Sequence, residues 1–213
     1  LPPQNTKADP VLIDIAIFRK ESSYSDSRHP DAIEPGDEFT DVARRDFTVN
    51  ALYLDLQSEK ILDYTNGTKD IQAKLLRTVG IPSERFTEDA LRILRAVRLS
   101  AQLGFKIDKE TSTALRRCSG LLSKISRERI REEIFRILDS SRPIAGLEAL
   151  ASHTLWEPVF GIRRVSVPAD MRQFKPSWKP TAIDWLSALG VTGMLGDPLT
   201  EPLQICDRMS ENL

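Results

Sequence analysis

The stretch at residues 85–105, RFTEDALRILRAVRLSAQLGF, constrains the fold more than any other part of the chain. Its spacing predicts a single helix. Thr87 is placed to cap the N-terminus, and Glu88 and Asp89 fall in the first turn, where the helix dipole favours acids. Gly104 follows the last periodic residue as a C-cap. Ala90, Ile93, Leu94, Val97 and Ala101 recur at helical spacing and form one apolar stripe. Asp89 and Arg92 fall off that stripe, three residues apart and therefore neighbours on the helix surface. Ala96 and Ser100 are small and flank Asp89, which leaves room for something flat against the helix.

A neighbouring carboxylate and guanidinium make an edge of acceptors and donors. Such an edge is suited to the Watson–Crick side of a nucleobase. The same spacing also fits a plain surface ion pair worth a few tenths of a kcal/mol. A second cluster lies upstream, Arg44-Arg45-Asp46-Phe47-Thr48-Val49-Asn50-Ala51-Leu52. Two arginines beside an Asp suit a nucleoside triphosphate, the cations for phosphate oxygens and the Asp for a ribose hydroxyl. Asn50 is equally suited to capping a turn.

Composition sets the class. Hydrophobic residues make up 40% of the 213 and charged residues 29%, as in ordinary globular proteins. No apolar run is long enough to span a membrane, and the start, Leu1-Pro2-Pro3-Gln4-Asn5, has neither the basic nor the apolar part of a secretory signal. It also has no Met, which suggests processing or truncation. Two Cys and two His exclude a disulfide scaffold and a His-rich metal site, and a reducing cytoplasm is the default location. Net charge is −1, but its distribution is uneven. Residues 1–60 hold 7 Lys/Arg against 12 Asp/Glu, and residues 77–142 hold 15 against 9. A basic segment within a neutral protein is the footprint of a polyanion partner.

Residues 11–18 read as a strand in which Asp14 is a lone acid. It is either a partly exposed edge residue or a carboxylate offset by a metal or donors. Residues 20–40 read as a long polar loop. Strands are expected at 51–55 and 60–64, joined as a hairpin, with a short helix at 68–71 and a last strand at 76–79 before a hinge at 80–83. Gly67 is expected to permit a turn, and Asp70 to cap or bind a neighbouring backbone. Helices are expected at 108–118 and from Ser126 to 138. Further on, 145–150 and 182–189 look helical around an irregular stretch at 163–180.

The wording of these segments resembles the class II tRNA nucleotidyltransferases, the CCA-adding enzymes, and their relatives the bacterial poly(A) polymerases. The resemblance runs over about residues 11–138. It rests on R-F-x-E-D-A-L-R-I-L-R-A-V-R at 85–98, on R-R-D-F-T-x-N-A-L at 44–52, on Asp63-Tyr64-Thr65-Asn66-Gly67 with Asp70-Ile71, where the family has D-x-x-G-x-x-D-I/L, and on S-x-E-R-I from Ser126. It implies that Asp89 and Arg92 select the incoming base, with Arg95 beside them. It implies that Asp46 selects ribose and that Arg45 and Asn50 line the nucleotide site. Tyr24, Asp26 and Arg28 would belong to a flexible loop that serves the change from CTP to ATP. Asp14 would be an acid near the catalytic carboxylates and a metal ligand for Mg²⁺. Glu128, Arg129 and Glu132 would be supporting ion pairs.

The implied fold is α+β, a partial nucleotidyltransferase sheet of the polymerase-β kind followed by an all-helical neck and body. The expected divisions are 1–79 (head), 80–142 (neck) and 143–213 (body, with the tRNA contacts). The implied activity is addition of C and A to the tRNA 3′ end, with tRNA, CTP and ATP as partners and no membrane. A poly(A) polymerase, a CC-only or A-only enzyme, and a non-catalytic RNA-binding derivative are the alternatives. The family's G-G-x-V-R-D and D-x-D strings do not occur in these residues. The 213 residues alone are therefore expected to be inactive, the N-terminal part of the head being lost. Nothing in the sequence sets an oligomeric state.

Overall fold

The computed structural model describes residues 15–22, 32–161, 167 and 185. Among the described residues the elements alternate at first and then become helical apart from one short strand. Strands β1 (Arg19–Ser22) and β2 (Ala32–Pro35) pair antiparallel, with Arg19 opposite Pro35. Helix α1 (Glu38–Arg44) follows, opened by a capping box. In that box the Asp37 carboxylate accepts from the Thr40 N–H at 2.8 Å, and the Thr40 hydroxyl accepts from the Asp37 N–H at 3.0 Å. A 3₁₀ turn (Thr48–Asn50) leads into the hairpin β3 (Leu52–Asp55) and β4 (Lys60–Asp63). Helix α2 (Gly67–Gln72) and strand β5 (Leu75–Leu76) complete this part.

The helical part begins with α3 (Pro82–Glu88) and α4 (Leu91–Leu103). A short strand β6 (Lys106–Ile107) returns to pair in parallel with β5. Then come α5 (Lys109–Cys118), a 3₁₀ segment (Ser119–Lys124), α6 (Arg127–Leu138), α7 (Pro143–Ser152) and α8 (Trp156–Phe160). The mixed α+β character expected from the sequence is present. Among the described residues the strands form three separate two-stranded ladders, and one of them uses a strand from the expected all-helical neck.

The predicted apolar stripe is the centre of the core. Ala90, Ile93, Leu94 and Val97 are fully buried and Ala101 nearly so. They pack where α4 meets α6 and α7. Burying side chains such as Ile93 and Leu94 contributes about 1.5–3 kcal/mol each. Phe47 and Leu76 enter the same cluster from the first part of the chain. Phe47 and Thr78 form a β-bridge, flanked by hydrogen bonds from Thr48 N to Arg77 O (2.9 Å) and from Val79 N to Asp46 O (3.1 Å). The residues on either side of Phe47 are thus held against the helical core.

Several local expectations are corrected. The single helix from Thr87 is two helices with a break at Asp89, whose φ of −142° and ψ of 104° are extended. Pro82 opens α3 at the position where a missing N–H costs nothing, so the expected hinge is half helix. Thr87 lies inside α3, where its hydroxyl donates to Ser83 O at 2.8 Å. Residues 15–18 are irregular, and the strand follows at Arg19–Ser22, within the expected loop; positions 11–14 lie outside the described residues. Asn66, with φ of 61°, makes the left-handed turn that had been assigned to Gly67. Gly67 is required for a different reason, because a Cβ there would lie 2.3 Å from Thr48 O. Asp70 accepts from the Thr48 hydroxyl at 2.7 Å and pairs with Arg77, and so does not cap a backbone. The helices expected at 108–118, 126–138 and 145–150 are present with small shifts of their ends; the one at 182–189 lies outside the described residues apart from Trp185, which is buried. Among the described residues no helix is long and apolar enough to cross a membrane.

Candidate nucleotide-binding site

The site is built on one buried carboxylate. Asp41 on α1 is 1% exposed. It accepts from Arg44 Nε at 2.9 Å, Arg45 Nε at 3.0 Å and the Tyr53 hydroxyl at 2.6 Å. Burial pushes its pKa up, and the donors from Tyr53, Arg44 and Arg45 outweigh that push and lower it to about 2. The Arg45 guanidinium also lies over the Tyr53 ring, 5.6 Å from its centroid. The two arginines at the end of α1 are therefore fixed by the helix that carries them.

The chain leaves α1 at Arg45 with extended geometry and presents Asp46. One oxygen of Asp46 accepts from Phe47 N at 2.8 Å and from Asn50 Nδ2 at 3.2 Å. The other accepts from Arg95 Nε at 2.9 Å. Arg95 is desolvated, which disfavours its charge, yet the Asp46 carboxylate overrides this and raises its pKa. Asp46, Asn50 and Arg95, chosen from separate stretches of sequence, form one connected group.

Arg92 is 9% exposed. Its Nη1 donates to Glu88 Oε2 at 2.8 Å and to Arg85 O at 3.3 Å, and its Nη2 donates to Arg44 O at 2.9 Å. Arg85 reaches the neighbouring carbonyl of Ala43. Two cations thus sit on the C-terminal carbonyls of α1, where its dipole favours them. This joins the break between α3 and α4 to the Arg44-Arg45-Asp46 segment.

Asp89 does not pair with Arg92. Its Oδ1 accepts from Leu91 N at 3.1 Å and its Oδ2 from Arg129 Nη2 at 3.4 Å. The expected edge is absent as a ready-made ion pair, because Glu88, one turn before Arg92, takes the guanidinium instead. Each group is held by a different neighbour, and each keeps capacity for a further hydrogen bond. Ala96 is fully buried and the Ser100 hydroxyl donates to Phe105 O at 2.6 Å, so these two residues offer no flat platform.

Two acids near the site have partners that the sequence did not indicate. Glu88 orients Arg92. Glu133, 2% exposed, accepts from Arg98 Nε at 2.7 Å and from Arg136 Nη1 at 3.2 Å. Glu132, the residue expected in that role, makes only an exposed 3.9 Å contact with Arg136. Glu133 falls in step with Ile130, Ile134 and Ile137 on the buried side of α6, and that phase is the signal that distinguishes it. Arg129 supports Asp89 as expected. Asp14, Tyr24, Asp26 and Arg28 lie outside the described residues, and among the described residues no group of three His, Cys, Asp or Glu could hold a metal ion.

Comparison with known proteins identifies the family. Residues 4–77 match the poly A polymerase head domain, and residues 104–162 match the probable RNA and SrmB-binding site of polymerase A. The chain is 43% identical over 150 residues to the CCA-adding enzyme of Ligilactobacillus salivarius, covering 69% of this chain and 37% of that protein. It is 41% identical over 149 residues to the CCA-adding enzyme of Bacillus subtilis, with 70% and 37% covered. Its structure is similar to that of the Bacillus stearothermophilus CCA-adding enzyme in complex with CTP, with a TM-score of 0.70 and 28% identity over 92% of this chain and 49% of that one. A tRNA nucleotidyltransferase complexed with a primer tRNA and an incoming ATP analogue is similar at a TM-score of 0.56 and 31% identity, covering 62% and 40%. The chain belongs to the family of CCA-adding enzymes and poly(A) polymerases. It spans little more than a third of the length of the curated relatives it matches.

Proposed function

We propose that this chain is the nucleotide-reading portion of a tRNA nucleotidyltransferase that adds C and A to the tRNA 3′ end from CTP and ATP without a nucleic-acid template. The observation that carries this reading is the union of two distant motifs, with Arg95 on Asp46 and Arg92 on the Arg44 carbonyl. Arg44 and Arg45 are positioned for triphosphate oxygens. Asp46 has lone pairs left for a ribose hydroxyl, and Asn50 and Arg95 orient it. Asp89 and Arg92 supply an acceptor and donors for the base edge. Most of such catalysis is positioning and electrostatics.

The head, neck and body divisions at 1–79, 80–142 and 143–213 belong to this proposal, as does a cytoplasmic location. The family's transfer chemistry uses divalent metal, and we take Mg²⁺ as the ion. The described residues do not fit it, so no step is assigned through it here. Of the expected ligands only Asp14 is in this sequence, and one carboxylate is a poor Mg²⁺ site. A role for Tyr24, Asp26 and Arg28 in the change from CTP to ATP remains part of the proposal.

Incubated with tRNA lacking its CCA end, labelled CTP and Mg²⁺, the 213 residues alone are expected to incorporate no CMP. Joined to an upstream segment from a relative that bears G-G-x-V-R-D and D-x-D, they are expected to complete the CCA end. Incorporation by the 213 residues alone would contradict the metal assignment, and an inactive, folded chimera would contradict the reading of the chain as an enzyme part. A second reading, poly(A) polymerase, is favoured by the descriptions of both matched families. It predicts long A tails on generic RNA from the same chimera. A product ending in CC, or addition to CC-ended tRNA alone, would mark the CC-only and A-only alternatives.

The ribose assignment makes a separate prediction. In Asp46→Asn the shape is kept and the charge is lost. The preference of the chain for CTP over dCTP, measured as a ratio of Kd values, is expected to fall towards unity. An unchanged ratio would place ribose selection elsewhere.

A further inference from the structure

Arg45 is held by a side chain from a different element. Asp41 and Arg44 lie on α1 and Arg45 caps it, whereas Tyr53 comes from β3. One Asp41 oxygen, Oδ2, accepts from Arg45 Nε at 3.0 Å, from Arg45 Nη2 at 2.8 Å and from the Tyr53 hydroxyl at 2.6 Å. The Tyr53 ring faces the Arg45 guanidinium, whose carbon lies 5.6 Å from the ring centroid. The ring itself is fixed. It packs on a small core of Val42, Ala51 and Val79, and Phe18 meets it edge to face at 5.5 Å. Burial and the neighbouring Asp41 carboxylate push the Tyr53 hydroxyl up from its ordinary value, against the pull of Arg45, so it remains a donor.

A guanidinium carries five N–H donors in one plane. Asp41 occupies the Nε–Nη2 edge of Arg45, and Tyr53 covers one face. Among the described residues the edge bearing Nη1 is left for phosphate oxygens, and the Arg45 side chain is 39% exposed. An Asp carboxylate turns broadly about its last bond. Asp41 and the guanidinium it holds share one short stretch of chain, and nothing within that stretch stops them turning together. The Tyr53 hydroxyl, anchored on β3, fixes the carboxylate, and the ring fixes the guanidinium plane. A triphosphate is best met by a fork aimed in advance, since a cation free to swing spends binding energy on being ordered. The base and the ribose are assigned to Asp89, Arg92 and Asp46, which leaves the phosphates to this cluster.

We propose that Tyr53 is a positioning residue for the triphosphate: it sets the edge that Arg45 turns to the phosphates, and with it the preference for a nucleoside triphosphate over the monophosphate. The proposal rests on the reading of Arg45 as a triphosphate ligand given above. It is tested on the 213-residue chain by titrating CTP and CMP into the wild type, Tyr53→Phe, Arg45→Ala and the double variant. Tyr53→Phe keeps the ring and removes the hydroxyl. It is expected to weaken CTP about tenfold while leaving CMP, and the preference for CTP over UTP, unchanged. In the Arg45→Ala background the same change is expected to have no further effect on CTP. In the wild type, CTP and not CMP is expected to shift the Arg45 Nε and Tyr53 ring signals.

A Tyr53→Phe protein that binds CTP as the wild type does would overturn the proposal, and so would equal weakening of CTP and CMP, the mark of a structural role alone. Equal loss of CTP binding in both backgrounds would place the action of the hydroxyl outside Arg45. Wild-type Tyr53 ring signals that stay still at saturating CTP would overturn it without any variant. An Arg45→Ala protein that keeps its preference for CTP over CMP would instead remove Arg45 from the triphosphate, and with it the reading on which the proposal rests.

Discussion

Replacement of Asp89 by Asn is expected to erase the choice among nucleotides while leaving the fold intact. Asp89 sits at the break between α3 and α4, is partly accessible, and spends one oxygen on Leu91 N and the other on Arg129. Asparagine keeps the acceptor that caps α4 but exchanges an acceptor for a donor on the side available to a base. A site built to hydrogen-bond a substrate rejects mismatched groups strongly, so its loss is large. Binding of CTP and ATP over UTP and GTP is expected to shrink to within about a factor of ten of equality. Arg92→Ala gives a different result, because Arg92 is also structural. Its removal strips a cation from Glu88 and from the α1 carbonyls, at a cost of roughly 3–5 kcal/mol. That variant is expected to lose stability and selectivity together. Nucleotide titrations and melting curves on both variants separate the two roles. Unchanged selectivity in folded Asp89→Asn would remove Asp89 from base reading.

Asp41→Asn is expected to be the most destabilising single change near the site. The carboxylate is buried and satisfies Arg44, Arg45 and Tyr53 at once. Asparagine offers one acceptor in place of two and turns an amide donor towards a guanidinium. The expected loss is about 3–5 kcal/mol, as for breaking a buried pair from one side. The wild type carries a matching pH signature. The folded pKa of Asp41, about 2, lies below the ordinary value of 3.8. A group whose pKa is lowered by folding contributes fully above its unfolded pKa and loses that contribution as pH falls through the folded one. Stability is therefore expected to drop between about pH 4 and pH 2, by on the order of 2 kcal/mol from this group. In Asp41→Asn the same window is expected to be flatter. Denaturant unfolding at pH 6, 4, 3 and 2 checks both statements, and parallel curves for the two proteins would contradict them.

The legible parts of the fold were those with a strong period. The stripe on α4 and the hairpin of β3 and β4 need only side-chain alternation and a turn. The break at Asp89 was hidden because Thr87 and Asp89 are both good caps, and local sequence does not choose between them. Contact with α1 does, since Arg85 and Arg92 reach its terminal carbonyls from either side of the break. Gly67 was read as a turn residue because close approach to Thr48 depends on residues distant in sequence. The candidate site residues stand out in the sequence as motifs, but their partners do not. Asp46 with Arg95, Asp89 with Arg129 and Glu133 with Arg98 are separated by 35 to 49 positions. The ion pair expected between Asp89 and Arg92 gave way to a better-placed competitor, Glu88, one turn earlier.

In the proposed function, two motifs far apart in the chain form one nucleotide pocket. Backbone amide and arginine side-chain signals of the 213-residue chain, followed as CTP is added, test it most directly. The predicted result is saturable movement of Arg45, Asp46, Asn50, Asp89, Arg92 and Arg95 with a single Kd. Movement confined to one motif, or two sets of residues titrating with different affinities, would contradict it.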